Sequence, residues 1–206
     1  MTKAEIVSFV SNNLKKIDKT NKYHPIVLEK AITFAFNQGY SDIFDKDPRT
    51  LDNYTTTYGG GGSAIAIAAN ANTGIYESTI PSVYVPFRDK NSGVRNIATP
   101  TVSSFKFYPM LKREFEILPN TLVGELNAND PRGYYVVRGG TIEYYGVAAV
   151  AAAGVRMDVV IPFDKYGDDD VVLIPFGKDM QLVYAVIEAL RTIPPVDLKD
   201  NNADTQ

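Results

Sequence analysis

The segment from Tyr134 to Leu190 constrains the fold of this chain more than any other. It holds strand-forming residues around a Gly-Gly turn, an alanine-rich run, two β-type segments ending in Ile-Pro-Phe, and a pattern with helical apolar spacing. Short runs of β-branched and aromatic residues bounded by glycine or proline are typical of strands. Strands followed by one helix predict an α+β fold. The segment contains neither histidine nor cysteine, so it offers little to a catalytic site.

Composition adds further limits. The chain has 206 residues, of which 45% are hydrophobic and 22% are charged, which is ordinary for a folded globular protein. It has no cysteine, so disulfides and thiolate chemistry are excluded. We find no secretory signal and no apolar run near the roughly 20 residues of a membrane helix, and we expect a soluble protein that is intracellular or assembled inside a cell.

Charge is distributed unevenly along the chain. Residues 1–155 carry 16 Lys and Arg against 14 Asp and Glu, whereas residues 156–206 carry 5 against 10. Nucleic-acid affinity depends on basic patches. The acidic C-terminal part is therefore not expected to bind phosphates.

Two helices are predicted at the N-terminus. Thr2 and Glu5 have the spacing of a capping box, and an apolar stripe follows them. Pro25 suits the first turn of a second helix, which we expect to end near Phe44. A short loop between two helices predicts an antiparallel pair. The second helix is expected to bury Val27, Ala31, Phe34 and Ala35.

Two glycine- and alanine-rich stretches, Asp52–Gly74 and Gly146–Gly154, are predicted to be long, flexible excursions. The sequence around them is β-type, although Tyr54–Tyr58 within the first stretch also has strand character. Phe105, Phe107 and Tyr108 alternate imperfectly, and Glu114–Leu118 alternates well. Three hairpins are predicted: Ser82–Pro86 with Val94–Ile97, Tyr134–Val137 with Thr141–Tyr145, and Met157–Phe163 with Val171–Phe176.

A closing helix is predicted from apolar residues at helical spacing, namely Met180, Val183, Ile187 and Leu190. The fold class is therefore α+β, with an N-terminal antiparallel helix pair, an antiparallel β-rich body with long loops, and a closing helix. The domain boundaries are 1–50 for the helical pair, 51–193 for the body, and 194–206 for a disordered tail. We expect the first two to form one compact unit.

Candidate chemical groups are few. His24 is the single histidine, and it precedes a proline without a nucleophile motif, so an exposed helix-start residue is the simpler interpretation. The acidic run Asp164–Asp170 is the best metal candidate, since clustered carboxylates suit hard cations. It lacks the spacing of an EF-hand, and a solvated turn explains it as well. No catalytic, cofactor-binding or metal-binding residue is assigned.

Two other motifs also have simple structural explanations. Gly59–Gly62 and Ser63 lack the lysine of a phosphate-binding loop, which favours a flexible linker. Four lysines at the end of the first helix form either a solvated face or a phosphate contact: Lys15, Lys16, Lys19 and Lys22. The 13 tyrosines suit half-buried strands or interfaces.

The order of elements resembles a known family. The features that carry the resemblance are Ile17-Asp18, Tyr23-His24-Pro25, Leu51-Asp52-Asn53-Tyr54, Ile80-Pro81-Ser82-Val83, Gly93-Val94-Arg95, Tyr134-Tyr135-Val136-Val137, Ile174-Pro175-Phe176 and the final helix. Over roughly residues 1–190 the chain resembles the head-to-tail connector proteins of tailed bacteriophages, the adaptor or ring proteins beneath the portal. Its β-part is also similar to structural proteins of crAss-like phages that infect Bacteroidales.

The resemblance implies a non-catalytic virion subunit that forms a ring, twelve-fold by analogy with the portal. It implies as partners other copies of the chain, the portal and other neck or tail ring proteins, with packaged DNA passing through without sequence-specific binding. No cofactor and no membrane are implied. A second hypothesis is a tail-associated carbohydrate- or host-binding module. An enzyme ranks third, because only carboxylates are available as acids and bases.

Overall fold

The computed structural model describes residues 1–17, 19, 23–60, 62–100, 106–111, 113–114, 133–145 and 154–192. Their fold is α+β, with two N-terminal helices, a mixed β-sheet and a C-terminal helix. The chain divides into two compact units. Unit 1 comprises Met1–Tyr40 and Tyr166–Gln206, and unit 2 comprises Ser41–Lys165. Unit 1 therefore combines the two ends of the chain.

Helix α1 (Lys3–Ile17) begins at the predicted capping box. The Thr2 amide donates to the Glu5 carboxylate at 2.9 Å, and the Glu5 amide donates to the Thr2 hydroxyl at 3.2 Å. These bonds satisfy two backbone donors that a helix start leaves free. Ile6, Val10 and Leu14 are buried along one face, as their spacing predicts.

Helix α2 (Pro25–Lys46) has the predicted start, but its buried face differs from the prediction. Phe34 was expected in the core and is 50% exposed, whereas Phe36 is fully buried. The two side chains are about 200° apart around a helix, so apolar composition alone did not choose between them. Ala31 and Ala35 are buried as expected, and Val27 is half-buried. The antiparallel pairing of α1 with α2 stays a prediction.

Helix α3 (Asp179–Thr192) closes unit 1 and contacts α1. Of the four apolar residues whose spacing predicted this helix, only Val183 belongs to the buried set, and Met180 is 39% exposed. The buried face of α3 is rotated by about one residue from the predicted apolar stripe. Its buried members are Leu182, Val183, Val186 and Ala189.

Unit 2 contains an eight-stranded sheet within the described residues. Its strands are β1 (Thr56–Tyr58), β2 (Ala68–Ala69), β3 (Tyr76–Thr79), β4 (Val94–Ala98), β5 (Lys106–Pro109), β6 (Gly133–Arg138), β7 (Thr141–Tyr145) and β8 (Arg156–Val159). Their order is β1-β8-β4-β5-β6-β7-β3-β2. Every pair is antiparallel except β5–β6, which is parallel, so the predicted wholly antiparallel body is wrong at that pair.

The second predicted hairpin is confirmed. Strands β6 and β7 pair antiparallel around Gly139 and Gly140. Gly139 has φ +61°, a backbone conformation that favours glycine. Here the local turn chemistry and the alternation of the strands agree, and the hairpin follows from them.

The first and third predicted hairpins are wrong. Ser82–Pro86 is not a strand in the described chain, and its Val85 amide donates to Val160 O at 2.9 Å instead of pairing with β4. Val171 forms an isolated bridge with Thr2, while β8 pairs with β4 and β1. In both places a partner distant in sequence replaced the neighbouring segment, which a turn motif cannot reveal.

The stretch Asp52–Gly74, predicted to be a long, flexible excursion, carries regular elements, and the strand character of Tyr54–Tyr58 is confirmed by β1. A 3-10 helix, η1 (Pro48–Tyr54), leads into β1, and β2 follows. Ile65 bridges Val155 on the β1 side of the sheet, and Ala68 pairs with Glu77 at the opposite edge. Since these two residues are three positions apart, the two edges lie within about 11 Å of each other. The sheet therefore curls until it is nearly closed.

The core of unit 2 lies on one side of this curled sheet. Phe107 and Tyr144 pack edge to face with ring centroids 5.2 Å apart, and the Tyr144 hydroxyl is 2.8 Å from Ser78 Oγ. Burial raises the pKa of the Tyr144 hydroxyl above its usual range. The second predicted excursion at 146–153, the predicted strand at 115–118 and the tail at 194–206 lie outside the described residues.

Candidate functional site

His24 lies at the start of α2 and is exposed. The Ile26 amide donates to its Nδ1 at 3.3 Å, and its backbone carbonyl accepts from the amides of Val27 and Leu28 at 3.0 Å. The imidazole therefore helps to cap a helix. This is the helix-start role that the sequence favoured over catalysis.

The acidic run supports the start of α1 through its backbone. The carbonyls of Asp170 and Asp168 accept from the amides of Lys3 and Ala4 at 3.0 and 3.1 Å. The Asp170 carboxylate accepts from the Gly167 amide and closes the turn. Across the described ranges, no three His, Cys, Asp or Glu residues are grouped to hold a metal ion.

Lys3 is a feature that sequence reasoning missed. Its side chain is only 10% exposed, and Nζ donates to Tyr166 O at 3.0 Å and pairs with Glu29 at 2.7 Å. The ammonium thus joins α1 to α2 and to the segment after residue 165. Its partners lie 26 and 163 positions away, so no local pattern signals them.

Gly59 begins the Gly59–Gly62 run that was predicted to be a flexible linker, and it packs closely beside the sheet, while Gly61 lies outside the described residues. Gly59 has φ +78°, and a Cβ there would lie 2.4 Å from Val155 O. Gly154 has φ +70° and is equally restricted, with Ile65 O at 2.6 Å. The two glycines let the Ile65 and Val155 backbones exchange two hydrogen bonds of 2.9 Å. They serve close backbone packing, and phosphate binding has no support here.

The lysine patch is exposed at the C-terminal end of α1. Lys15, Lys16 and Lys19 project into solvent, and Lys22 lies outside the described residues. Lysines in the last turn of a helix interact favourably with its dipole. The exposed positions of these lysines fit the interpretation of a solvated helix face.

A polar cluster occupies the sheet face opposite the core. Glu143 is buried, and it accepts from Arg138 Nη1 at 2.7 Å and from the Tyr145 hydroxyl at 2.9 Å. Glu77 stands directly opposite Glu143 in the β3–β7 register, and Asn70 Nδ2 donates to both its oxygens at 3.1 Å. Burial, followed by the bond to Glu143, raises the pKa of Tyr145. The bond to Glu143 also raises the pKa of Arg138.

Tyrosines extend this face towards β5. Tyr108 and Tyr134 are register partners whose ring centroids lie 6.4 Å apart at an interplanar angle of 48°. Tyr134 is in turn the partner of Tyr145. Aromatic rings beside hydrogen-bonding groups can hold a sugar or another amphipathic surface. Alternation in the sequence predicted half-buried tyrosines, but only the register brought these three together.

Arg95 is the most connected buried cation of unit 2 in the described residues. Its side chain is 6% exposed, and it binds Asp89 at 2.7 Å, Asp52 at 3.0 Å and Pro48 O at 2.9 Å. These contacts fix η1 and the loop before β4 to the sheet. The other oxygen of Asp89, Oδ1, is buried without a hydrogen-bond partner. The arrangement is structural, since its charges are already paired.

A surface cavity of about 260 Å³ lies beside Asp89. Its lining includes Tyr84, Phe87 and Val136, and also Lys90, which forms an ion pair with Glu114. The hydrogen bond from Lys90 lowers the pKa of Glu114. The cavity is smaller than the roughly 300–1,000 Å³ of ordinary small-molecule sites. It therefore does not indicate a substrate pocket.

Exposed apolar side chains are concentrated in unit 1. Among the described residues, nine large apolar side chains are exposed on unit 1 and three on unit 2. Those of unit 1 are Met1, Ile17, Tyr23, Ile26, Phe34, Val171, Leu173, Met180 and Tyr184. Apolar surface of this kind is typical of protein–protein contacts.

None of the helices in the described part of the chain has the length and apolar content needed to cross a lipid bilayer. The sequence matches no protein-family model and no curated protein.

Proposed function

We propose that this chain is a virion structural protein, one subunit of a ring in the head-to-tail connector beneath the portal of a tailed bacteriophage. The observation that carries the proposal is the set of nine large apolar side chains exposed on unit 1. A folded subunit that leaves so many apolar groups in water gains free energy when a neighbour covers them. The order of sequence elements that resembles connector proteins supports the same function.

A closed ring requires a heterologous interface, in which different surfaces of identical subunits meet. The exposed apolar residues of unit 1 lie on separate elements, for example Ile17 on α1 and Met180 and Tyr184 on α3, so two different surfaces can contribute to such an interface. The ring would contain about twelve copies by analogy with the portal. It would contact the portal and other neck or tail rings, and it would be assembled in the host cytoplasm.

In this proposal the ring surrounds the channel through which packaged DNA passes. The acidic excess of residues 156–206 would repel phosphates and so avoid tight or sequence-specific binding. The subunit needs neither a cofactor nor a membrane for this role, and it performs no catalysis.

Electron microscopy and mass measurement of the purified full chain test this function. We expect a closed ring of defined copy number, alone or after addition of the portal protein of the same phage. A strict monomer that binds neither portal nor neck proteins would contradict the proposal. Immunogold labelling of particles should place the chain at the neck, between head and tail.

The tyrosine face favours a second candidate, a tail-associated carbohydrate- or host-binding module. Tyr108 is 48% exposed and lies beside Tyr134, with Arg138 and Glu143 on the same sheet face. A glycan array with the monomeric protein tests this candidate. Binding that is lost in Tyr108→Ala, but kept in a matched Tyr184→Ala variant on α3, would favour it over the ring.

A further inference from the structure

Helix α1 separates two surfaces of opposite charge on unit 1. At its N-terminal end, the backbone of the acidic turn accepts hydrogen bonds from the first amides of the helix. At its C-terminal end lie Lys15 and Lys16. A helix of 15 residues is about 22 Å long, more than twice the screening length at physiological salt. The two ends therefore act as separate patches.

Each end also exposes apolar side chains beside its charges. Val171 and Leu173 are 71% and 55% exposed and follow the acidic turn directly. They flank the buried Val172, so both point away from the core, and the bridge from Val171 to Thr2 fixes the segment. At the other end, Ile17 is 56% exposed next to the lysines. The helix dipole explains the charges but not the exposed apolar groups.

We infer that the acidic end of α1 in one copy binds the basic end of α1 in the next copy. The acidic patch consists of Asp168, Asp169, Val171 and Leu173, and the basic patch consists of Lys15, Lys16 and Ile17. Like patches repel, so a two-fold contact that pairs either patch with itself is disfavoured. Opposite patches attract and place apolar groups against each other. We take the contact to be heterologous and repeated from copy to copy, and it then specifies the subunit interface of the ring on whose proposal it rests.

Charge reversal in the full chain tests this contact. Lys15→Glu/Lys16→Glu makes both ends acidic, and Asp168→Lys/Asp169→Lys makes both ends basic. We expect each variant alone to weaken self-association by at least about tenfold, since two complementary charges become repulsive at every contact. An equimolar mixture of the two should assemble again, because each variant then meets an end of opposite charge. Sedimentation velocity at matched concentrations measures all three samples.

Matched controls place equal charge changes on unit 2. Asp42→Lys/Asp45→Lys and Lys46→Glu/Arg88→Glu alter exposed residues and should leave assembly at the wild-type level. The milder variants Lys15→Gln/Lys16→Gln and Asp168→Asn/Asp169→Asn serve if a reversal prevents folding, which circular dichroism detects. Raising the salt from about 0.05 to 0.5 M should weaken the wild-type assembly.

The possible failures are distinguishable. This contact would be overturned, and the ring proposal left intact, by either of two results in a protein whose wild type forms rings. Both reversal variants could still form rings, or their mixture could assemble no better than either variant alone. A wild-type chain that stays monomeric at every concentration and with portal protein present would instead contradict the ring itself.

Discussion

Arg95 shows how one side chain can tie several segments together. It binds two carboxylates and a backbone carbonyl contributed by η1 and by the loop before β4. Arginine suits this position because its planar guanidinium presents donors in several directions. The carboxylates lie 6 and 43 positions away in sequence, so their convergence depends on the fold.

Replacing Arg95 by methionine should lower the free energy of unfolding by about 2–3 kcal/mol, since it leaves the partly buried Asp89 without a cation. The figure is kept below that of a fully buried pair because Asp52 is 60% exposed. Urea denaturation followed by circular dichroism measures the change. Arg88→Met, at an exposed position, serves as the control and should change stability by less than about 0.5 kcal/mol.

Gly93 is a second position that matters for stability, because the backbone there leaves no room for a side chain. A Cβ there would lie 2.4 Å from Val85 O and 2.6 Å from Tyr84 Cδ2. We expect Gly93→Ala to destabilise the protein by about 2 kcal/mol or more, as overpacking does. Gly140→Ala is the matched control, because a Cβ there meets nothing within 4 Å. Equal thermal midpoints for the two variants would contradict the close approach of these backbones.

At the scale of elements, helical periodicity located α1, α2 and α3 and indicated the buried face of α1, but it did not fix the buried faces of α2 and α3. Apolar residues occur on more than one side of α2 and α3, so several stripes fit the pattern. Packing against neighbouring elements determines which stripe is buried. Gly39 shows this, because a Cβ there would lie 2.9 Å from Pro175 Cγ in a distant segment.

Phe34 and Phe36 give a matched test of the buried face of α2. Phe36→Ala should cost about 3–5 kcal/mol, since it opens a cavity in the core. Phe34→Ala should change the stability of the dilute, unassembled chain by less than about 0.5 kcal/mol. Denaturation of both variants decides the matter, and a reversed order would show that the helix is rotated.

At the scale of the whole molecule, the ends of the chain meet in unit 1 and the middle folds as unit 2. Helix α1 contacts α3 although more than 160 residues separate them in sequence. Such contacts are costly in loop entropy and are compensated by the burial of apolar side chains on both helices. The stability of the N-terminal helix therefore depends on the C-terminal one.

This dependence predicts that a core substitution in α3 also destabilises α1. Val183→Ala should accelerate amide hydrogen exchange in α1, because the two helices open as one cooperative group. The amides of β6 and β7 in unit 2 should be affected much less. Mass spectrometry of peptic fragments resolves these regions. Equal acceleration in both units would mean that the chain opens only as a whole.

Local chemistry in the sequence determined the α+β class, the capping box at Thr2 and Glu5, the three helices and the β6–β7 hairpin. Each of these depends on residues close together in the chain, where propensity, turn type and spacing act directly. The strand character of Tyr54–Tyr58 also agrees with β1, but the same patterns did not identify the partners of Ser82–Pro86 and Val171–Phe176, or strand β2 within Asp52–Gly74.

Only the tertiary structure decided the parallel β5–β6 pair, the near closure of the sheet, the buried face of α2 and the ion pairs of Lys3 and Arg95. These features join segments that are far apart in sequence. Their free energy depends on which surfaces pack together, and local sequence patterns do not show which distant segments come into contact. The two charged ends of α1 depend on both. The lysines follow directly from the helical sequence, whereas the acidic turn lies next to the helix only in the tertiary structure.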